Sequence, residues 1–155
     1  VLLLGAGGAT RGALLRIARA GAARLAIANR TAAKAAELAR ELAPHLGGCA
    51  ACGGGFDDLA AGEACDVVIN ATSASLSGAA PAVSDRAFAP GALAYDMVYG
   101  KGLTPFLKLA QQAGAARVAD GVGMLVEQAA EAFAWWRGVR PDTRAALQRL
   151  TVPLA

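Results

Sequence analysis

The chain has 155 residues, 55% of them hydrophobic and 17% charged, which excludes disordered, fibrous and low-complexity classes. A domain of this length can bury roughly 68–70% of the surface its unfolded chain exposes, enough for one core without disulfides or a structural metal. The formal net charge of +3 is unevenly placed: residues 1–40 carry seven basic side chains against Glu37 alone, which suits an anionic ligand at the front of the chain.

In chain order, Val1 to Leu4 is an apolar run stopped by Gly5-Ala6-Gly7-Gly8, which predicts a buried strand and a tight turn. An amphipathic helix follows, with Leu14, Leu15 and Ala18 along one side and Gly21 as its C-terminal stop. Leu25 to Ala28 reads as a second strand, and Thr31 to about Ala43 as a second helix ended by Pro44. This β, glycine-rich turn, α, β order is the unit of parallel sheets.

The alternation continues with strands at Cys49–Cys52, Asp66–Asn70 and Ala92–Val98, the last preceded by the turn signal Pro90-Gly91. Thr104-Pro105 supplies an N-cap and a proline at the first helical position, opening a helix to about Ala113. Arg117 to Asp120 is a sixth short strand, Gly121 and Gly123 lead into a long helix from about Met124 to Arg137, and Pro141-Asp142 opens a last one to Leu150. In the long helix Leu125, Ala129 and Phe133 read as the core stripe, with Gln128 beside Met124 and away from it. The expected fold class is α/β: a doubly wound parallel sheet of about six strands with helices on both faces, in one domain over residues 1–155.

Other classes fit less well. The longest stretches without Asp, Glu, Lys or Arg, Leu42 to Phe56 and Val67 to Ser84, are broken by Gly, Pro, Ser, Asn or His, unlike a membrane span of about 20 apolar residues. Lys/Arg runs are missing and aromatics are 5%, which argues against nucleic acid. Three cysteines, Cys49, Cys52 and Cys65, cannot all pair, and are expected as free thiols in a reducing compartment such as the cytoplasm. On a strand Cys49 and Cys52 would face opposite sides, so no metal site is expected, and His45 after Pro44 reads as a surface residue.

Gly5-x-Gly7-x-x-Thr10 sits between a strand and a helix, the context that a dinucleotide-binding turn requires. Gly5 permits the turn, Gly7 lets the backbone approach a pyrophosphate, and the helix N-terminus offers N–H groups and partial positive charge. An NAD-selective site places an acidic residue after the second strand, whereas a 2′-phosphate needs basic groups there. This chain has Asn29-Arg30-Thr31-Ala32-Ala33-Lys34 with no acid before Glu37, which points to NADP: Arg30 can pair with the phosphate, Thr31 can cap the helix and donate its hydroxyl, and Lys34 lies one turn on.

Taken together, these residues resemble the C-terminal NADP-binding domain of the shikimate dehydrogenase family, a Rossmann-type domain. The resemblance is carried by the block from Gly5 to Gly12, by Asn29-Arg30-Thr31, Asn70-Ala71-Thr72-Ser73, Tyr95-Asp96-Met97-Val98-Tyr99, Lys101-Gly102-Leu103-Thr104-Pro105 and the block from Asp120 to Ala129. The first two blocks are shared with other NADP proteins, glutamyl-tRNA reductase among them, and the last three are more particular to shikimate dehydrogenases.

The resemblance implies NADPH-dependent reduction of 3-dehydroshikimate to shikimate in aromatic amino-acid biosynthesis. Gly5, Ala6, Gly7, Gly8 and Ala9 would cradle the pyrophosphate, and Asn29, Arg30, Thr31 and Lys34 the 2′-phosphate. Thr72, Met97 and Gly121 would meet the nicotinamide end, with Tyr99 and Gln128 reaching the small-molecule substrate. The family's catalytic Lys and Asp belong to a preceding substrate domain, and the start at Val1, inside a strand, is read as a cut after it. Asp96 and Lys101 do not match that pair, so no catalytic residue is assigned and the chain alone is expected to bind cofactor without turning over, as a monomer or homodimer. Alternatives are a quinate/shikimate-type enzyme, glutamyl-tRNA reductase, or a stand-alone NADP-binding regulatory module.

Overall fold

In the computed structural model, which describes residues 1–60, 63–74, 78–100 and 102–154, the leucines at the start of the chain divide between two cores. Side chains alternate across a strand, so Leu3 of β1 (Leu2–Leu4) enters one cluster while Leu2 and Leu4 enter the other. All three are buried, as expected for a central strand covered on both faces.

The remaining strands are β2 (Arg24–Ala28), β3 (Ala50–Gly54), β4 (Cys65–Asn70), β5 (Phe88–Asp96) and β6 (Arg117–Ala119). They form a six-stranded sheet in the order β3-β2-β1-β4-β5-β6, with every pairing parallel. The order reverses between β1 and β4, the switch point of a doubly wound sheet and the usual place for a ligand crevice. This is a Rossmann-like fold, and the expected α/β class holds.

Helices cover both faces. Leu14 of α1 (Gly8–Arg19) and Ala35, Leu38, Ala39 and Leu42 of α2 (Ala32–Leu42) join Leu3, Leu25 and Ile27 on one face. On the other, Phe106, Leu107 and Ala110 of α4 (Pro105–Gln112) pack against Leu2, Leu4, Val68 and Ala94. The short α3 (Phe56–Ala60) follows β3, while α5 (Val122–Arg137) and α6 (Arg144–Leu150) close the chain. Arg140, in the connection between them, pairs with Glu127 and Glu131 of α5, and the hydroxyl of Thr143, the N-cap of α6, donates to Glu127 at 2.8 Å.

Several expectations need correction. Pro90-Gly91 does not precede the fifth strand but lies inside β5, where the pairing jumps from Cys65↔Phe88 to Val67↔Leu93, so the turn becomes a local bulge. The second helix runs as expected, from its N-cap Thr31 to its C-cap Ala43, and Pro44 follows in a 3-10 turn, Ala43–His45. In α5 the buried stripe is Val122, Val126 and Ala130; Leu125, Ala129 and Phe133 are not buried and line, with Val126 and Ala130, a groove of about 320 Å³ against α6. Among the described residues, no helix is long and apolar enough to cross a membrane.

Candidate functional site

The turn after β1 is shaped by two backbone demands. Gly5 adopts φ +102°, and a Cβ there would come within 3.2 Å of the Ala71 carbonyl oxygen and of Thr72 Cγ2. Its N–H donates to the Ala28 carbonyl at 2.7 Å, while its own carbonyl accepts from the buried Thr10 hydroxyl at 2.6 Å. Thr10 therefore ties the first turn of α1 back to the loop.

Gly7 and Gly8 differ in kind. Neither has a positive φ, and a Cβ on either would meet nothing within 4 Å. The fold itself does not ask for glycine there. The absent side chains leave open space at the N-terminus of α1, whose first turn holds no acidic residue and whose leading N–H groups have no intrahelical acceptor. That combination of room, N–H donors and positive dipole end suits a phosphate-bearing ligand.

Asn29 joins this turn to the end of β2. Its Oδ1 accepts from the Ala6 N–H at 3.3 Å, and its Nδ2 donates to the Thr31 carbonyl at 3.0 Å. Arg30 is thereby held beside the glycine turn, exposed, and among the described residues it makes no salt bridge. Arg11 is different: it pairs with Glu41 across α1 and α2, and the guanidinium holds the Glu41 carboxyl below its usual range. Arg24 pairs with Glu63.

Gly5, Ala6, Gly7, Asn29, Arg30 and Thr72 converge on one cleft of about 730 Å³ at the carboxyl ends of β1, β2 and β4. Gly8 and Ala9 lie in the adjoining first turn of α1, exposed, and Thr31 and Lys34 are exposed at the start of α2. Thr31 takes the N-cap position, but its hydroxyl makes no capping bond, contrary to expectation. Met97, Tyr99, Gly121 and Gln128 do not line the cleft. They belong to the segment after β5 and the start of α5, with Tyr99 44% exposed and Gln128 exposed.

Gly121 is explained by packing. Its N–H donates to the Val98 carbonyl at 3.1 Å, and a Cβ would fall 2.3 Å from the Met97 carbonyl oxygen. Met97 is half-buried against the core under α1 and α2. Lys101 lies outside the described residues.

A buried polar chain runs beneath the cleft. Thr72 donates its hydroxyl to Asn70 Oδ1 at 2.7 Å, Asn70 Nδ2 donates to Asp96 Oδ1 at 3.0 Å, and the Thr104 hydroxyl donates to Asp96 Oδ2 at 2.6 Å. Thr104 also caps α4 by accepting from the Leu107 N–H at 3.3 Å, as its place before Pro105 predicts. The role of Asn70 was not anticipated. The available signal was a polar residue ending each of two neighbouring apolar strands.

The family model for shikimate / quinate 5-dehydrogenase matches residues 1–80, and that for the shikimate 5′-dehydrogenase C-terminal domain matches residues 121–151. Shikimate dehydrogenase (NADP(+)) of Dechloromonas aromatica is 57% identical over 154 residues, covering 99% of this chain and 55% of that protein. Among solved structures, an Ael1 enzyme from Pseudomonas putida matches with a TM-score of 0.88 at 56% identity, over 99% of this chain and 55% of its own. Shikimate 5-dehydrogenase from Thermus thermophilus, in complex with NADP(H) and shikimate, matches with a TM-score of 0.75 at 30% identity, over 97% and 54%. The chain spans about half the length of the curated relatives it matches. With its glycine turn, its switch-point cleft and a family model covering more than half of its residues, the chain belongs to the shikimate / quinate 5-dehydrogenase family.

Proposed function

We propose that this chain is the NADP-binding half of a shikimate dehydrogenase, which reduces 3-dehydroshikimate to shikimate. The observation that carries the reading is Arg30: a cation without a described ion-pair partner, held by the Asn29 bridge in the glycine-turn cleft, in a segment with no carboxylate before Glu37. A 2′-phosphate is attracted there, and an acidic residue that would repel it is missing from the segment.

Gly7 and Gly8 leave room for the pyrophosphate, and the α1 N-terminus with Gly5, Ala6 and Ala9 supplies its surroundings. Asn29 keeps the β2–α2 connection against that turn, while Arg30, Thr31 and Lys34 take the 2′-phosphate. Thr72, Met97 and Gly121 face the nicotinamide end, and the exposed Tyr99 and Gln128 contact the substrate. NADPH, when bound, supplies the hydride for the ketone carbon. Reduction also needs a proton for the developing alkoxide, and in this reading the acid that provides it belongs to the part of the longer enzyme outside this chain.

The test is a titration of the isotopically labelled chain with NADPH, followed by amide chemical shifts. Perturbations centred on Gly5 to Ala9, Arg30 and Thr72 are expected. Shifts confined to the α5–α6 groove would contradict the reading.

A further inference from the structure

Asn70 and Asp96 stand opposite each other in register at the ends of β4 and β5, both fully buried. Asp96 Oδ1 accepts from Asn70 Nδ2 at 3.0 Å, so the Asn70 amide turns its NH₂ toward Asp96. Its carbonyl oxygen is then aimed the other way, where it accepts from the Thr72 N–H at 3.0 Å and from the Thr72 hydroxyl at 2.7 Å. An amide oxygen cannot donate, so the hydroxyl proton of Thr72 is committed to Asn70. One hydroxyl lone pair meets the Ala74 N–H at 3.3 Å, which leaves the other for a donor in the cleft that Thr72 lines. Asp96 is itself fixed by the Val98 N–H at 3.1 Å and by the Thr104 hydroxyl at the cap of α4.

We infer that Asp96 is a positioning residue: acting through Asn70, it sets the Thr72 hydroxyl as a hydrogen-bond acceptor for a donor on the nicotinamide half of the cofactor. The donor is the carboxamide N–H or a ribose hydroxyl. This inference rests on the NADP reading above, and it adds the direction of one hydrogen bond and the residue that dictates it.

The experiment is a double-mutant cycle read by calorimetry with NADP⁺, and with its 3-acetylpyridine analogue, whose methyl ketone carries no N–H. Thr72→Val weakens NADP⁺ about three- to tenfold, the scale of one hydrogen bond, and Thr72→Ser restores it. Asp96→Ala, which takes the acceptor away from the Asn70 NH₂, also weakens NADP⁺ but adds nothing in the Thr72→Val background. Both arms of the analogue comparison support the inference: insensitivity to Thr72→Val identifies the carboxamide as donor, and equal sensitivity identifies the ribose.

Additive penalties from Asp96→Ala and Thr72→Val would make Asp96 merely structural and overturn the inference. So would an unchanged NADP⁺ affinity in Thr72→Val, with the cofactor reading left standing. Failure of the unaltered chain to bind NADP⁺ would overturn both. If Asp96→Ala does not fold, the Asn70 side-chain NH₂ resonances of the unaltered chain decide: slow exchange is expected of donors to a buried acceptor, and fast exchange overturns the assignment.

Discussion

A Cβ at position 121 would fall 2.3 Å from the carbonyl oxygen of Met97, so the entry to α5 can approach the end of β5 only through a glycine. Gly121→Ala is therefore predicted to cost about 1–3 kcal/mol, as overpacking of a tight backbone contact does. Thermal melting checks this. Gly123→Ala, two residues on in the same helix with nothing within 4 Å of its Cβ, is the control, and its melting temperature should hold or rise.

Gly7 and Gly8 should behave in the opposite way. Serine is a good N-cap and alanine a good helix former, so Gly7→Ser and Gly8→Ala are predicted to leave stability within about 0.5 kcal/mol or raise it. Both should nonetheless weaken NADPH, because the added atoms occupy the space proposed for the pyrophosphate. Paired melting and binding measurements separate the two effects.

Arg30→Ala is predicted to weaken NADPH by about 1.5–3 kcal/mol, the scale of a hydrogen bond to a charged group, and to leave NADH nearly unchanged. Calorimetric titration with each cofactor checks it. Equal losses would make Arg30 part of the fold rather than a reader of the 2′-phosphate.

Burial, and next the charge of Asp120, push the Tyr95 phenol above its ordinary value. The neutral phenol is thus favoured in the folded state. Its contribution is fully present below the unfolded value of about 10 and is lost as the pH rises from there through the higher folded value. Tyr95→Phe is predicted to reduce the drop in melting temperature between about pH 9 and pH 11, which thermal scans across that window would measure.

The sheet and its front half were legible because the signals there are local. An apolar run, a glycine turn and a capped helix such as Thr104-Pro105 each depend on a few adjacent residues. Pro90-Gly91 misled because a parallel neighbour can absorb a turn as a bulge, which depends on β4 rather than on the dipeptide. The stripe of α5 was misphased because this helix is apolar on more than one side: Val122, Val126 and Ala130 are buried, while Leu125 and Phe133 are more open and line the groove against α6 beside Val126 and Ala130. The five residues of α3 are too few to show a period. At the site, Gly5, Gly7 and Arg30 were legible from the glycine turn and the segment after β2, Asn29 and Thr72 only from the family resemblance, and all five line one cleft. The Asn70–Asp96–Thr104 chain was not, since it arises only when β4 and β5 align in register.

The central claim is that the cleft between the glycine turn and Arg30 reads a 2′-phosphate. Its most direct test is calorimetric titration of the unaltered chain with NADPH and with NADH under the same conditions. Clearly tighter binding of NADPH, with the preference removed by Arg30→Ala, is the predicted result. Equal affinities for the two cofactors, or tighter binding of NADH, would contradict it.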